Sequence, residues 1–465
     1  MQEEFIGLPG LSSEKEVLQV INNPDYKIEF VRIMFTDILG RPMDFSIPVS
    51  ELERAFSEGK GFDGSSVEGF VRIEESDLII VPDPKTFRVF PWTYHGFDPD
   101  ISWREAIMFG DIYQPDGQHY PGDSRYVLKK GLERLRTELA LSDFKCGPEM
   151  EFFIFPDDQH AVLTDAGGYF FSGKHGEIRK EIQLLLKKMG IDSEYDHHEV
   201  AHSQHEIDLK YQSALEIADI VMVFRYMTKK VARMHNLYAS FMPKPINGQN
   251  GSGMHVHQSL WQDGHNVFFD QNAPYHLSAL AQHYIAGIIH HAREICSIHS
   301  QWINSYKRLI EGYEAPVYIA WGQKNRSAYI RVPEYQPGKE RATRIELRSP
   351  DPGCNIYLTL AIILAAGLDG IRKKLELPKP VEENIYHLSS SKQKKSGIQV
   401  LPKNLQEAIK LTEKSLLVRE TLGDHLFEKF LANKQKEIED YLKNVPDEYD
   451  KQVSPYEIKK YLPML

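Results

Sequence analysis

Residues 147–153 read Gly147-Pro148-Glu149-Met150-Glu151-Phe152-Phe153. Side chains two residues apart in a strand share a face. Glu149 and Glu151 therefore point one way, while Met150 and Phe152 point to an apolar layer. Two further segments follow the same rule. His255-Val256-His257 puts two imidazoles on one face. Arg344-Ile345-Glu346-Leu347-Arg348 puts Arg, Glu and Arg on one face and Ile and Leu on the other. Charges cannot be buried unpaired, so three such strands can line one polar cavity.

Around these strands the chain of 465 residues has the composition of a folded globular protein, 42% hydrophobic and 26% charged, which argues against disordered and fibrous classes. Its length predicts two or three domains. With 55 Lys and Arg against 66 Asp and Glu, the net charge is −11. That balance gives no general reason to bind nucleic acid or an anionic membrane. Three scattered cysteines, Cys146, Cys296 and Cys354, form no disulfide framework and no CxxC pair, which fits a reducing cytosol. The acidic start MQEEFIGLPG shows no signal peptide, and the apolar run 356–368 is too short to cross a bilayer. A cytoplasmic protein is expected.

The first ~115 residues read as strands and turns, with candidates at 27–35, 77–82 and 87–92. The turn-rich stretch 114–122 predicts a boundary between units 1–115 and 116–465. Helical periodicity marks 125–141, 178–189, 214–235, 277–299, 355–374, 405–418 and 424–442. The alternation is irregular and lacks the regular beat of a Rossmann or TIM fold, so the class is α+β.

The carboxylates Glu149, Glu151, Glu199, Glu206 and Glu346, with one histidine, form an oxygen-rich ligand set. Such a set suits Mg²⁺ or Mn²⁺ better than structural zinc, and so many negative charges in one cavity require cations. The glycine-rich loop 243–253 is not a P-loop, since GxxxxGK[ST] is absent. Arg308, Arg326, Arg331, Arg341, Arg344 and Arg348 could cradle phosphates and a carboxylate.

Taken together these segments resemble type I glutamine synthetase. The motifs, in order, are Phe62-Asp63-Gly64-Ser65-Ser66, Gly147 to Phe153, His197-His198-Glu199-Val200-Ala201, Gln204-His205-Glu206, Asn250 to His257, Lys307-Arg308-Leu309, Gly312-Tyr313-Glu314-Ala315-Pro316, Asn325-Arg326-Ser327-Ala328 and Arg344 to Arg348. The resemblance implies a small N-terminal β-grasp domain and a large catalytic α+β domain with an antiparallel, metal-lined sheet. It also implies a dodecamer of two hexameric rings with active sites between subunits. Glu151, Glu199 and Glu206 then correspond to ligands of the metal at the glutamate and ammonium end, and Glu149, His255 and Glu346 to ligands on the ATP phosphates, two or three Mg²⁺ or Mn²⁺ ions in all. Asn250, Gly251, Arg308, Arg348 and Ser66 are implied substrate contacts. Tyr211, His257, Ser259, Arg331, Arg341 and Arg344 are implied nucleotide contacts. Asp63, Glu314, Arg326 and Tyr169 are implied catalytic groups.

The implied reaction joins ammonium to L-glutamate through γ-glutamyl phosphate, using ATP, with Asp63 taking a proton from ammonium. A γ-glutamyl ligase acting on amines is the nearest rival; Asp63 favours ammonia. A non-enzymatic relative would have an eroded ligand set, whereas all six ligands are present. Arg72 resembles the arginine of the non-adenylylated, feedback-inhibited subclass, and Tyr386 sits in a loop resembling an adenylylation site. Several residues depart from the family pattern: Glu311 stands where proline is usual, His202-Ser203 where near relatives have Pro-Gly, and Phe171 and Lys174 differ after Tyr169.

Overall fold

The computed structural model describes residues 11–70, 77–98, 100–383, 385, 398–446 and 452–465. Arg72 and Tyr386 lie outside them. The N-terminal part is a twisted sheet of five main strands: β1 (Ile28–Thr36), β2 (Pro42–Pro48), β3 (Lys60–Asp63), β4 (Asp77–Pro82) and β5 (Ser102–Tyr113). Their order is β2-β1-β5-β4-β3. Only β1 and β5 run parallel, with Val31 beside Ala106, and these central strands carry the buried residues Val31, Ile33, Ala106 and Ile107. The short helix Leu52–Glu58 buries Leu52, Ala55 and Phe56. Of the expected strand at 87–92 only Arg88–Val89 pairs; Pro91 ends it by removing a ladder donor.

Strand β5 ends at Tyr113, and helix α1 (Ser124–Leu139) begins after Asp123, whose side chain accepts from the Arg125 amide. Arg125 fastens the two parts together. Its buried guanidinium donates to Asp83, Asp111 and Asp219 at 2.8, 2.6 and 3.0 Å, a fork whose carboxylates come from three elements.

The second sheet is built on β6 (Asp143–Phe155), β7 (Ser193–His198), β8 (Gln204–Leu209), β9 (Met254–Gln262), β10 (Tyr318–Gly322), β11 (Ala328–Arg331) and β12 (Ile345–Leu347). The order is β10-β11-β12-β9-β6-β8-β7. Pairing is antiparallel except between β10 and β11. The register sets His255 beside Glu149, Glu206 beside Glu151 and His257 beside Glu346. Thus the strand faces expected to be charged become neighbours.

Helices α2 (Gly176–Lys188), α3 (Ala214–Met234), α4 (Ala279–His291), α5 (Ile356–Lys373) and α6 (Asp424–Asn444) complete this part. Helix α5 is buried along most of its length, so its apolar run is a core helix. Among the described residues no helix is long and apolar enough to cross a membrane. The helix expected over 277–299 stops at His291, and a short turn of helix, Cys296–His299, follows. The one expected at 405–418 divides into Leu405–Thr412 and Leu416–Leu422, with Ser415 capping the second. The three cysteines are free and buried.

Candidate active site

Two adjoining cavities open on the charged face of the second sheet. One, of about 240 Å³, is lined by all six expected metal ligands, Glu149, Glu151, Glu199, Glu206, His255 and Glu346. Tyr169, Asn250, Gly251, Arg308, Glu314, Arg326, Arg331 and Arg348 line it too. The other, of about 430 Å³, is lined by the expected nucleotide contacts Tyr211, His257, Ser259, Arg331, Arg341 and Arg344. Glu149, Tyr195 and Arg331 belong to both. Asp63 and Ser66 line neither. Asp63 caps the turn at Gly64–Glu68, accepting from the Ser65 amide at 2.9 Å, and Ser66 donates to the Asp63 carbonyl at 2.9 Å.

Around Glu149 and Glu346 every carboxylate meets a cation or an imidazole. Glu149 is 2.7 Å from Nδ1 of His255 and 2.6 Å from Nε2 of His257. Arg344 donates to Nδ1 of His257 at 3.0 Å, which leaves the His257 Nε2 proton for Glu149. Glu346, fully buried, accepts from Arg331 at 2.7 Å and from Arg348. Burial raises the pKa of Glu346, but the Arg348 charge and the nearby histidines outweigh it and hold the group at about 2. Burial likewise opposes ionisation of Glu149, yet His257 and His255 bring its pKa well below the usual range. His257 is as close to Glu149 as His255 is, and Glu149, His257 and Glu346 offer ligand atoms within 4.8 Å of one another.

Glu151, Glu199 and Glu206 lie on the other side. Burial, then the Glu199 charge, raises Glu151 well above the carboxylate range. Burial, then Glu151 and Glu149, does the same to Glu206, and burial raises Glu199. Neutral donors supply part of the compensation: Gln204 and the Gly253 amide donate to Glu151 at 2.8 and 2.9 Å. His197 Nε2 is 3.4 Å from Glu206. Carboxyls that resist ionisation in the protein alone fit a divalent cation with oxygen ligands, because the cation removes the repulsion between them. His197, Glu199 and Glu206 also offer ligand atoms within 4.8 Å.

Backbone at the rim is shaped to admit these groups. A Cβ on Gly253 would stand 2.6 Å from the Arg308 guanidinium, 3.0 Å from Glu151 and 3.1 Å from His255. Arg308 itself donates to the carbonyls of Arg348, Ser349 and Pro350 at 2.8–3.2 Å. Glu314 has φ +57°, a strained conformation for a non-glycine residue, and its carboxylate accepts from Asn250 at 3.5 Å. The Arg326 guanidinium lies 5.7 Å from the centre of the Tyr169 ring. Glu311 accepts from the Tyr318 hydroxyl at 2.5 Å. Sequence reasoning gave no role to Tyr195, His197, Gln204 and Tyr313, which line or adjoin the first cavity. For His197, Gln204 and Tyr313 the signal was their place inside the quoted motifs; Tyr195 carried none beyond proximity.

This is an α+β protein in which a β-grasp domain precedes a catalytic sheet lined with carboxylates and arginines. Family models for "Glutamine synthetase, beta-Grasp domain" and "Glutamine synthetase, catalytic domain" match residues 27–115 and 121–461. A "Glutamine synthetase" of Methanosarcina mazei is 44% identical over 461 residues, covering 98% of each chain. That of Thermotoga maritima is 44% identical over 94% of this chain and 96% of its own. A solved structure described as "GmaS/ADP complex-Conformation 1" superposes with a TM-score of 0.82 at 28% identity, covering 94% of this chain and 98% of that one. The chain belongs to the glutamine synthetase family.

Proposed function

We propose that the chain ligates ammonia to L-glutamate at the expense of ATP, through γ-glutamyl phosphate. The observation that carries this reading is the convergence of six ligand residues from five strands and loops on one cavity that shares Glu149 and Arg331 with a second, nucleotide-sized one. Glu149, His255 and Glu346 would hold the cation on the ATP phosphates, and Glu151, Glu199 and Glu206 the cation at the glutamate end, two or three Mg²⁺ or Mn²⁺ ions in all. When bound, these ions neutralise charge on the transferring phosphoryl group.

The chain's own residues do the rest. Arg331, Arg341 and Arg344 face the phosphates, with Tyr211, His257 and Ser259 toward the nucleoside. Asn250, Gly251, Arg308 and Arg348 orient the glutamate carboxylates; Arg308 does so in part by fixing the backbone of 348–350. Arg326 opposes charge on the phosphoryl oxygens. Glu314 closes over the acyl phosphate and excludes water, while Tyr169 helps to bound the ammonium pocket. Asp63 removes a proton from ammonium, which has no lone pair until it does so. Because Asp63 and Ser66 line neither cavity, we place them in the site of a neighbouring subunit, in a dodecamer of two hexameric rings. We divide the chain into units 1–115 and 116–465 and place it in the cytoplasm.

Purified protein should consume ammonia in an ATP- and glutamate-dependent reaction, with a higher kcat/KM than for methylamine or putrescine. A higher value for either amine would replace this reading with an amine ligase.

A further inference from the structure

The turn that presents Asp63 is held from the far end of the chain. Strand β3 pairs with β4 at the edge of its sheet, so ladder bonds fix Asp63 along one side. The turn Gly64–Glu68 follows, and after it Gly69 at φ +74°. Asn433, on α6 and fully buried, clamps this point. Its side-chain amide accepts from the Phe70 amide at 2.6 Å and donates to the Glu68 carbonyl at 3.0 Å. A Cβ on Gly69 would stand 2.6 Å from Oδ1 of Asn433, so this close approach requires glycine. One side chain thus does for the turn what a neighbouring strand does for a β-strand, satisfying a backbone N–H and a carbonyl together.

The same face of α6 holds the Glu68 side chain. His425, Lys429 and Asn433 are spaced by four, which places them in one row along the helix. Lys429 forms an ion pair with Glu68, and Nε2 of His425 lies 3.2 Å from Oε1 of Glu68. The Tyr120 hydroxyl, from the stretch that joins the two parts of the chain, donates to the same oxygen. Glu68 is 8% exposed. Burial opposes its ionisation, but bonds from His425, Lys429 and Tyr120 outweigh it and hold the carboxyl at about 2. A buried charge with several partners is a firm anchor, because loss of one leaves it short. The Asp63 side chain, by contrast, is exposed, and it accepts from the Ser65 amide and hydroxyl at 2.9 Å. Glu68, His425, Lys429 and Asn433 line neither cavity of their own chain.

We propose that Glu68 and Asn433 are positioning residues for the ammonium step, and that through them α6 of one subunit sets the place of Asp63 in the next subunit's site. Such a task presupposes the role proposed above for Asp63. A base must stand within hydrogen-bond reach of the proton it removes, and a misplacement of about 1 Å can cost roughly a hundredfold. An edge strand and a short turn do not supply that precision alone; the clamp of Asn433 and the anchor of Glu68 do. Neither residue touches substrate. The clamp bears only on an acceptor that must lose a proton, because γ-glutamyl phosphate is formed by residues of the two cavities.

Ammonium and hydroxylamine separate this task from general support of the fold. Near pH 7.5 ammonium is almost wholly protonated, whereas hydroxylamine is almost wholly neutral and needs no base. In the assembled full chain, Asn433→Ala should lower kcat/KM for ammonium about tenfold or more relative to hydroxylamine, with KM for ATP unchanged. Asp63→Ala should show the same split more steeply. Equal losses with both acceptors, or no loss with ammonium, overturn the proposal. If Asn433→Ala does not assemble, Glu68→Gln, which keeps the shape and loses the charge, decides by the same criterion. A split in Asp63→Ala without one in the clamp variant rejects the clamp alone. If Asp63→Ala shows no split, Asp63 is not the base, and the clamp has nothing to place.

Discussion

Glu149 and Glu151 are two residues apart on one strand and one face, yet they belong to electrostatically opposite halves of the cavity. Around Glu149 and Glu346, two arginines and two histidines keep the carboxylates ionised without help. Around Glu151, burial raises the carboxyls of Glu151, Glu199 and Glu206, with the Glu199 charge adding to it at Glu151 and the Glu151 charge at Glu206. Arg308 opposes this at Glu151 without reversing it, and the rest of the compensation comes from Gln204, the Gly253 and Val200 amides and His197. The difference teaches that one half is organised by the chain itself, whereas the other is left incomplete until a cation arrives.

The largest expected effect tests both halves together. Removing divalent cations with EDTA should abolish turnover, and Mg²⁺ or Mn²⁺ should restore it. Undiminished activity in EDTA would break the comparison. Next, the two halves should respond oppositely to loss of a charge in the metal-free protein. Glu346→Gln leaves Arg331 and Arg348 short of their buried partner and should lower stability by about 3 kcal/mol. Glu151→Gln removes one of three repelling carboxylates and should leave stability unchanged or raised. Equal losses in urea denaturation would show that the halves are not distinct.

The pH dependence follows with its sign. A carboxyl whose pKa is raised by folding binds more protons folded than unfolded, so stability falls as pH rises from the unfolded pKa to the folded one. Glu151, Glu199 and Glu206 therefore weaken the metal-free protein at neutral pH. Glu149 and Glu346, whose pKa values are lowered, contribute stability at and above the ordinary carboxylate range that is lost as pH falls below it, toward about 2 in the case of Glu346. Metal binding relieves only the first group. The rise in Tm on adding Mn²⁺ should be larger near pH 8 than near pH 5.5, as calorimetry would read it; a reversed order would contradict the assignment.

The smallest expected effect lies at Ser203, where near relatives were expected to carry glycine. It adopts φ +60°, and its hydroxyl accepts from the amides of Thr164 and Asp165 at 2.7 and 3.0 Å. Ser203→Gly relieves backbone strain but removes the acceptor of one buried and one half-buried donor, so a net loss of about 1 kcal/mol is expected. A gain in Tm would mean that strain dominates.

The charged faces of β6, β9 and β12 were legible because alternation with a period of two is local. The strand at 77–82 was legible for the same reason. Register and long-range packing were not local, so the pairing of His255 with Glu149, and the seating of α6 on the turn at Gly64–Glu68, had no sequence signal. Periodicity overran the ends of the helix expected over 277–299, where Arg293–Ile295 turn away after His291. The resemblance implied that Asp63 serves the site of the next subunit, and within one chain its own sheet holds it apart from both cavities.

The order in which the site is synthesised differs from the order in which it is assembled. Strand β6 leaves the ribosome first, but its partner β9 begins at Met254 and the next strand, β12, begins only at Ile345. Contacts so distant along the chain close slowly and late. A nascent chain will therefore leave β6 without its partner β9 while the next hundred or so residues are made, roughly five to twenty seconds at ordinary elongation rates, and without Glu346 for about twice as long. During that interval the growing polypeptide is a client for chaperones, and no truncated product ending before Ile345 can complete the carboxylate set of the mature enzyme.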